Sequence, residues 1–448
     1  MTTTLEDCRD LDAHDPLRAL RNQFVRAEGT IYLDGNSLGM LPRATAPRLA
    51  HAITEEWGNG LIVSWNKAGW FSLPERVGNK IARLVGAGQS ELLAADSTSV
   101  NLYKVLSAAL ELCRTEQPGR RRVLSERDNF PTDLYIAQSL CRQHGFELVL
   151  ADESELPALM DDSIALLMLT HVNYRTGAMH DMHAMTRAAH AAGALAVWDL
   201  AHSAGAVPVD LHAADADYAV GCGYKYLNGG PGAPAFVWVH PRHADRFLQP
   251  LSGWWGHAEP FAFTPDYRPA PGIARYLCGT QPVLSMVALE CGVDTLLAAE
   301  SAGGMAALRR KSLALTDQFI ALVEERCAGH GLSLVTPRAH ARRGSQVCLS
   351  REAGPRAPTI RVSLPHDEAP AVMRQPGGDS GAYAIVQALT GRGVVGDFRA
   401  GTPDILRFGF TPLYIGFEDV WNAVEQLRQV LETAEWQRPE FNQKNAVT

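Results

Sequence analysis

IALLMLT (Ile164–Thr170), MHAMTRAAHAA (Met182–Ala192) and ALAVWD (Ala194–Asp199) follow one another along the chain, and their reading decides the fold. The first and last are short apolar runs without polar alternation, as expected of strands covered on both faces. The middle segment has a helical pattern and sits where a crossover helix belongs. Strand, helix and strand in this order predict a parallel pair. The same alternation continues outward. Arg122–Ser125, Phe146–Leu150, Ala219–Cys222 and Ala235–Val239 read as further strands, and Leu102–Cys113 and Thr132–Cys141 as helices. The expectation is an α/β protein: a large domain with a mainly parallel sheet between helices.

After Pro282 the pattern changes. Val283–Ala299 and Met305–Cys327 read as long helices, Ser345–Ser350 and Leu406–Phe410 as strands, Tyr383–Arg392 and Phe417–Glu435 as helices. This predicts a smaller C-terminal α+β domain. The division expected is an N-terminal segment at 1–30, the large domain at 31–300 and the small domain at 301–448. Within the small domain, about 351–381 is rich in Pro, Gly and Ala and reads as a surface insertion, with a short strand near Thr359–Leu364.

A chain of 448 residues is long enough for two domains and a large core. Hydrophobic residues make up 46% and charged residues 20%, which suits a soluble globular enzyme. The net charge of −8 gives no electrostatic footing for nucleic acid or an anionic membrane. The short basic run Arg120–Arg122 reads as a solvated strand entrance. No apolar run approaches membrane-spanning length, and the polar start MTTTLEDCRD is unlike a secretory signal. The eight cysteines form no CxxC pair, so neither a metal site nor a disulfide framework is expected. A reducing, cytoplasmic compartment follows.

Ligands of open α/β sheets bind beyond the carboxyl ends of the strands. The residues just past each strand candidate are therefore the informative ones: Asn129–Asp133, Thr170–Asn173, Asp199–His202 and Tyr224-Lys225. Asp96–Ser99, ahead of a helix, joins them. Lys225 lies in GCGYKYLNGG (Gly221–Gly230), between two apolar runs and with no other charge nearby, which reads as strand, tight turn and strand with the lysine at the corner. A lysine that can condense with an aldehyde and an aspartate that keeps a pyridine nitrogen protonated suit pyridoxal phosphate. Hydroxyls at a helix N-terminus, here Thr98 and Ser99, suit its phosphate. Phe130 is placed to stack on its ring.

Each piece also has an ordinary reading. Lys225 could be a turn lysine with a snorkelling stem. Asp199 could cap a turn, and Ser97–Ser99 could be a helix N-cap and no more. Phe130 could be a helix staple, and His202 a structural histidine. The order of aspartate and lysine at successive strand ends carries the specificity.

The segments YLDGNSLG (Tyr32–Gly39), NFPTDLY (Asn129–Tyr135), LTHVNYRTG (Leu169–Gly177), WDLAHSAGAVPVDL (Trp198–Leu211), GYKYLNGGPG (Gly223–Gly232) and SGWWGH (Ser252–His257) together resemble the kynureninase family, bacterial type. The resemblance runs over nearly the whole chain except about 351–381. It implies the aspartate-aminotransferase fold type, pyridoxal 5′-phosphate as cofactor and a homodimer with sites at the subunit interface. It implies hydrolysis of the β,γ carbon–carbon bond of L-kynurenine, or its 3-hydroxy form, to anthranilate, or 3-hydroxyanthranilate, and L-alanine. That reaction belongs to the kynurenine pathway of tryptophan catabolism and leads toward NAD biosynthesis.

The resemblance also implies residue roles. Lys225 carries the cofactor, Asp199 meets its ring nitrogen with His202 close by, and Phe130 stacks on the ring. Phe130, Pro131, Thr132 and Asp133 line the cofactor. Thr98, Ser99 and Tyr224 help hold its phosphate, and Thr170 touches the ring's oxygen side. Trp254 and Thr280 reach the partner subunit's site. Arg407 clamps the substrate's α-carboxylate, with Asn36, Ser37 and Trp65 around the substrate. Tyr224 is also a candidate acid or base beside Lys225. The rivals are a class V aminotransferase, a cysteine desulfurase, which needs a reactive cysteine, and a non-catalytic cofactor-binding protein. A nicotinamide dehydrogenase lacks its G-x-G-x-x-G here.

Overall fold

The computed structural model describes residues 3–246, 249–351 and 381–443. The segment read as an insertion, with its strand near Thr359–Leu364, lies outside the described residues apart from Arg351 and Gly381. The strands in chain order begin with β1 (Ile31–Tyr32), β2 (Leu92–Ala95), β3 (Arg122–Glu126), β4 (Glu147–Ala151), β5 (Ile164–Thr170), β6 (Leu195–Asp199), β7 (Tyr218–Gly221) and β8 (Ala235–Val239). The C-terminal part adds β9 (Leu332–Leu334), β10 (Gln346–Arg351), β11 (Val394–Val395), β12 (Asp397–Arg399) and β13 (Ile405–Gly409).

Seven strands form the large sheet in the order β2-β8-β7-β6-β5-β3-β4. From β7 to β4 every neighbouring pair is parallel. Only β8 runs the other way, antiparallel to β7 and to β2. The carboxyl ends of β2, β3, β5, β6 and β7 therefore emerge at one edge.

The apolar runs are explained by two-sided burial. Along β8, Phe236 and Trp238 enter one core while Val237 and Val239 enter the other. Along β5 the alternation skips once: Ala165 and Leu166 both face the second core. There the register with β3 shifts, Arg122 pairing with Ile164 and Val123 with Leu166. Burying a side chain such as Phe236 contributes about 2–3 kcal/mol.

β2 was not anticipated. Leu92-Leu93-Ala94-Ala95 is short and half alanine, a weak strand former, and pairing with β8 makes it a strand. Gly78, on the helix Leu73–Val85, packs so closely on the Leu92 carbonyl that any Cβ would overlap it.

The C-terminal sheet is antiparallel in the order β12-β13-β10-β9. Phe319, on the helix Gly304–Arg326, packs against Phe408 and Phe410 beneath it. The start of the chain docks on this part. The Asp12 carboxylate accepts from the Phe417 and Glu418 N–H groups at 2.8 and 2.9 Å, capping the helix Phe417–Glu432. β1 pairs in parallel with β11, and Asp34 bridges to Gly409. The loop after β1 thus runs between the two sheets toward the lysine loop. Among the described residues, no helix is long and apolar enough to cross a membrane.

Candidate active site

The strand ends converge as the topology requires. Thr98, Ser99, Phe130, Thr132, Asp133, Thr170, Asp199, His202, Tyr224 and Lys225 line one pocket. Pro131 sits beside them at the first turn of the helix Pro131–His144.

The two strands are not joined by one tight turn, as the sequence reading had it, although Lys225 opens a turn closed by Asn228. The connection from β7 to β8 spans residues 222–234. It is long because it must enter the pocket, and it is held by its own backbone: Asn228 N donates to Lys225 O and Gly229 N to Gly223 O, each at 2.9 Å. Gly39 N donates to Tyr224 O at 2.8 Å. A Cβ on Gly39 would overlap Lys225 O and the Asn228 backbone, which accounts for the glycine in that motif.

The lysine's partner is His202. Gln346 Nε2 donates to the carbonyls of Asn173 and Tyr174 at 3.2 Å, so its Oε1 is the atom facing His202 Nδ1 at 3.1 Å. Nδ1 therefore carries the ring proton, and Nε2 accepts from Lys225 Nζ at 3.0 Å. Burial, with the charges of Lys225 and Arg407, pushes the His202 imidazolium well below its usual range, and the ring stays neutral.

Below the lysine lie two buried carboxyls, Asp199 closing β6 and Asp133 on the first turn of its helix. Burial raises Asp199, opposed by the charge of Lys225 and by the Ala201 N–H, which donates to Asp199 Oδ1 at 2.8 Å. Asp133 goes up further, through burial and then the neighbouring Asp199 charge. Asp133 Oδ2 receives no hydrogen bond from a donor among the described residues. A proton on Asp133, donated to Asp199, satisfies both groups. Asp199 keeps its charge and can face a cation.

The remaining walls are fixed from behind. Ser97 caps the helix Thr98–Glu116, its Oγ accepting from Val100 N at 3.3 Å, and Thr98 and Ser99 follow in the first turn. Ser97 thus serves as the helix cap, and it lines the pocket together with the two residues after it. Asn129 Oδ1 accepts from Phe130 N at 2.7 Å and from Thr170 Oγ1, tying two walls together. Tyr174 meets the Phe130 ring edge-on at 5.2 Å.

These residues fit pyridoxal phosphate on the structure's own terms. A helix N-terminus with two hydroxyls stands at one end for a phosphate dianion. A buried carboxylate backed by a second, protonated carboxyl stands where a cationic ring nitrogen is wanted, and an amine lies between them.

Arg407 and Ser37 come together outside the lining. Arg407 Nη2 donates to Ser37 Oγ at 2.7 Å, and Arg407 Nη1 to Tyr174 O at 2.7 Å. Asn36 is fully buried against Gly409. Trp65, Trp254 and Thr280 do not line the pocket of this chain. Trp65 packs edge-on against Trp70 and Trp255, Trp254 is 39% exposed, and Thr280 is exposed. The sequence reading missed Tyr174, Gln346 and Cys222. Tyr174 stood within the quoted motif at Leu169–Gly177, four residues past the end of β5, but no periodic signal marked it.

Two family models match the chain: "Aminotransferase class-V" over residues 31–352 and "Kynureninase C-terminal domain" over residues 372–427. A curated protein named kynureninase, from Pseudomonas fluorescens, is 54% identical over 449 residues, covering 100% of both chains. Among solved structures, the apo cysteine desulfurase of Thermococcus onnurineus superposes with a TM-score of 0.70 at 16% identity, over 95% of this chain and 98% of that one. A C-DES structure with glycine covalently linked to its PLP cofactor gives a TM-score of 0.73 at 15% identity, over 91% and 98%. These two structures share the fold.

Proposed function

The chain belongs to the kynureninase family of pyridoxal-phosphate-dependent carbon–carbon hydrolases, and from that premise we propose how its pocket divides the work. The enzyme hydrolyses L-kynurenine to anthranilate and L-alanine, a step of the kynurenine pathway of tryptophan catabolism. When bound, pyridoxal 5′-phosphate supplies an electron sink for the pair released at the substrate's α-carbon.

Lys225 would hold the cofactor's aldehyde carbon, and its amine, when free, would remove the substrate's α-proton. Neutral His202 accepts from Nζ and keeps it aimed. Asp199 would face the ring nitrogen, and Asp133 hydrogen-bonds Asp199. Thr98, Ser99 and the helix N-terminus would hold the phosphate, Phe130 would stack on the ring with Pro131 and Thr132 beside it, and Thr170 would meet the oxygen side. Water adds at the γ-carbonyl and the Cβ–Cγ bond breaks. Tyr224 hands a proton to the β-carbon and regains one from the added water, and Lys225 returns its proton to the α-carbon. Burial holds the Tyr224 phenol above its usual range, so it stays protonated and ready to donate.

Arg407 forks onto the α-carboxylate, with Ser37 and Asn36 beside it. The protein is a cytoplasmic homodimer in which Trp254 and Thr280 reach the partner's pocket, and Trp65 belongs to the aromatic wall of the substrate. The large domain, 31–300, carries the cofactor, the small domain, 301–448, carries Arg407, and 1–30 is a separate segment.

The observation that carries this reading is Lys225 Nζ, 3.0 Å from a neutral histidine in a pocket floored by the Asp133–Asp199 pair. A desulfurase reading finds no reactive thiol in the pocket lining, where Cys222 is the cysteine present. Burial pushes the Cys348 thiol up to about 11, and Cys222 is likewise buried and raised. The test is anthranilate fluorescence on adding L-kynurenine to the cofactor-loaded protein, with alanine formed in equal amount. No anthranilate from either L-kynurenine or 3-hydroxykynurenine would overturn it. Lys225→Ala should abolish turnover and the covalent cofactor absorbance.

A further inference from the structure

Arg407 belongs to a larger charged cluster. Its cross-strand partner on β12 is Asp397, and both side chains are almost fully buried. Asp397 Oδ2 takes hydrogen bonds from Arg407 Nη2 and, at 3.0 Å, from Ser37 Oγ. Arg399, two residues on and so on the same face of β12, pairs with the same oxygen at 2.7 Å. Asp34 closes the cluster from the loop after β1. Its Oδ1 is buried and has no hydrogen-bond partner among the described residues. Arg407 Nε is also buried without a partner among them, so the guanidinium keeps a donor for a ligand.

The charges balance: two carboxylates, two guanidiniums. A substrate carboxylate arriving at Arg407 adds a third negative charge to a site with little water to screen it. We propose that the cluster takes up the substrate's α-carboxylate together with one proton from solvent, Asp397 acting as the positioning residue for Arg407 and Asp34 receiving the proton. This rests on reading Arg407 as the carboxylate clamp.

The surroundings suit that role. Burial and the Asp397 charge push the Asp34 carboxyl up to about 7, against the pull of Arg407, Ser37 and Arg399. The other titratable groups facing the cluster do not compete for the proton. Tyr32 from β1, Tyr226 from the lysine loop and Tyr414 after β13 are all raised by burial and stay neutral, as does Tyr174. His202, which faces Arg407, is held neutral too. Below pH 7 Asp34 is protonated and the cluster carries a net positive charge. Above pH 7 it is balanced, and each carboxylate bound must bring a proton with it. Affinity then falls toward about tenfold per pH unit.

The test titrates the cofactor-loaded enzyme with L-alanine from pH 7 to 8.5, following the cofactor's absorbance, and compares wild type with Asp34→Asn. L-Alaninol, which lacks the carboxylate, is the control ligand. The wild-type Kd for L-alanine should climb more steeply with pH than that of D34N, by up to about tenfold per unit. The L-alaninol profiles should run parallel. Calorimetry in buffers of different ionisation enthalpy should show more protons taken up by wild type, by up to one. Parallel L-alanine profiles or equal proton counts overturn the proposal. Asp397→Asn should raise KM for L-kynurenine at least tenfold with kcat within a few-fold. A fall in kcat at unchanged KM removes Asp397 from positioning, and if that variant fails to fold, the D34N comparison decides. Arg407→Ala separates the two readings: unchanged L-alanine affinity there sinks the clamp itself, whereas lost affinity with parallel D34N profiles sinks only the proton coupling.

Discussion

Asp199 and Asp217 stand at opposite edges of the same sheet, one closing β6 and the other entering β7, and protons treat them oppositely. Both are buried. Burial alone would raise Asp217, but four donors overcome it. His190 and His243 donate to it at 2.8 and 2.7 Å, Ala196 N at 2.8 Å, and Arg242 Nη2 at 2.6 Å. Its carboxyl is held far below the usual range. Asp199 has one backbone donor and a carboxyl neighbour that must itself be protonated, and it ends up raised. The amino end of the sheet thus has a completed network, and the carboxyl end has one left open. Completed charge holds a fold together, while open charge waits for a ligand.

Exchanging the two aspartates for amides should separate these roles. Asp199→Asn leaves nothing anionic to keep a ring nitrogen protonated. We expect kcat/KM for L-kynurenine to fall by about 10³-fold, roughly 4 kcal/mol of barrier, with thermal stability unchanged or higher. Steady-state kinetics beside a melting curve checks both. A variant that melts early but turns over normally would erase the contrast.

Asp217→Asn should do the reverse. It leaves Arg242 without its buried partner, at a cost of about 3 kcal/mol in unfolding free energy, while kcat per folded molecule stays near wild type. The pH signs differ for the two partners. Asp217 is depressed, so its contribution is present above the unfolded value near 4 and lost as pH falls through its folded value. His190 is raised, chiefly by its hydrogen bond to Asp217, so its share is present below about 6.5 and lost as pH rises through its folded value. Urea unfolding from pH 3 to 8 should show both limbs in wild type and neither in D217N.

The same contrast explains what could be read from the sequence. The strands of the large sheet are apolar on both faces, so β5, β6, β7 and β8 show as unbroken runs, and the topology of α/β sheets points to the residues at their ends. Lys225, Asp199, Thr170 and Phe130 were legible for that reason. The cluster around Arg407 was not. Asp397 and Arg399 alternate along GDFRA, a period-two signal, but β12 is three residues long, and while its strand partner β13 follows directly, Ser37 and Asp34 come from a distant part of the chain. Charged residues on so short a segment look like a loop until β13 and the loop after β1 bury them. The length of the lysine loop escaped for a related reason: besides its own backbone hydrogen bonds, it is held by Gly39, which comes from a distant part of the chain.

The smallest predicted effect tests the open end from the other side. Asp133 is a carboxyl that the fold keeps protonated at a pH where the unfolded chain would ionise it. A group raised in this way works against the native state: the stability it allows at low pH is lost as pH rises from the unfolded value near 4 toward the folded one. Asp133→Asn keeps a donor toward Asp199 and removes the group that resists charging. In the protein stripped of cofactor, its unfolding free energy at neutral pH should exceed wild type by about 1 kcal/mol, and the gap should close near pH 4. Cofactor retention should weaken at the same time, since an amide behind Asp199 cannot adjust its charge when a ring nitrogen meets that carboxylate. Chemical unfolding of the two cofactor-free proteins at pH 4 and pH 7.5 reads the first effect, and dialysis against buffer without cofactor reads the second. If D133N were the less stable at pH 7.5 and equally retentive, the carboxyl pair would be part of the scaffold like Asp217, and the division between the two edges of the sheet would fail.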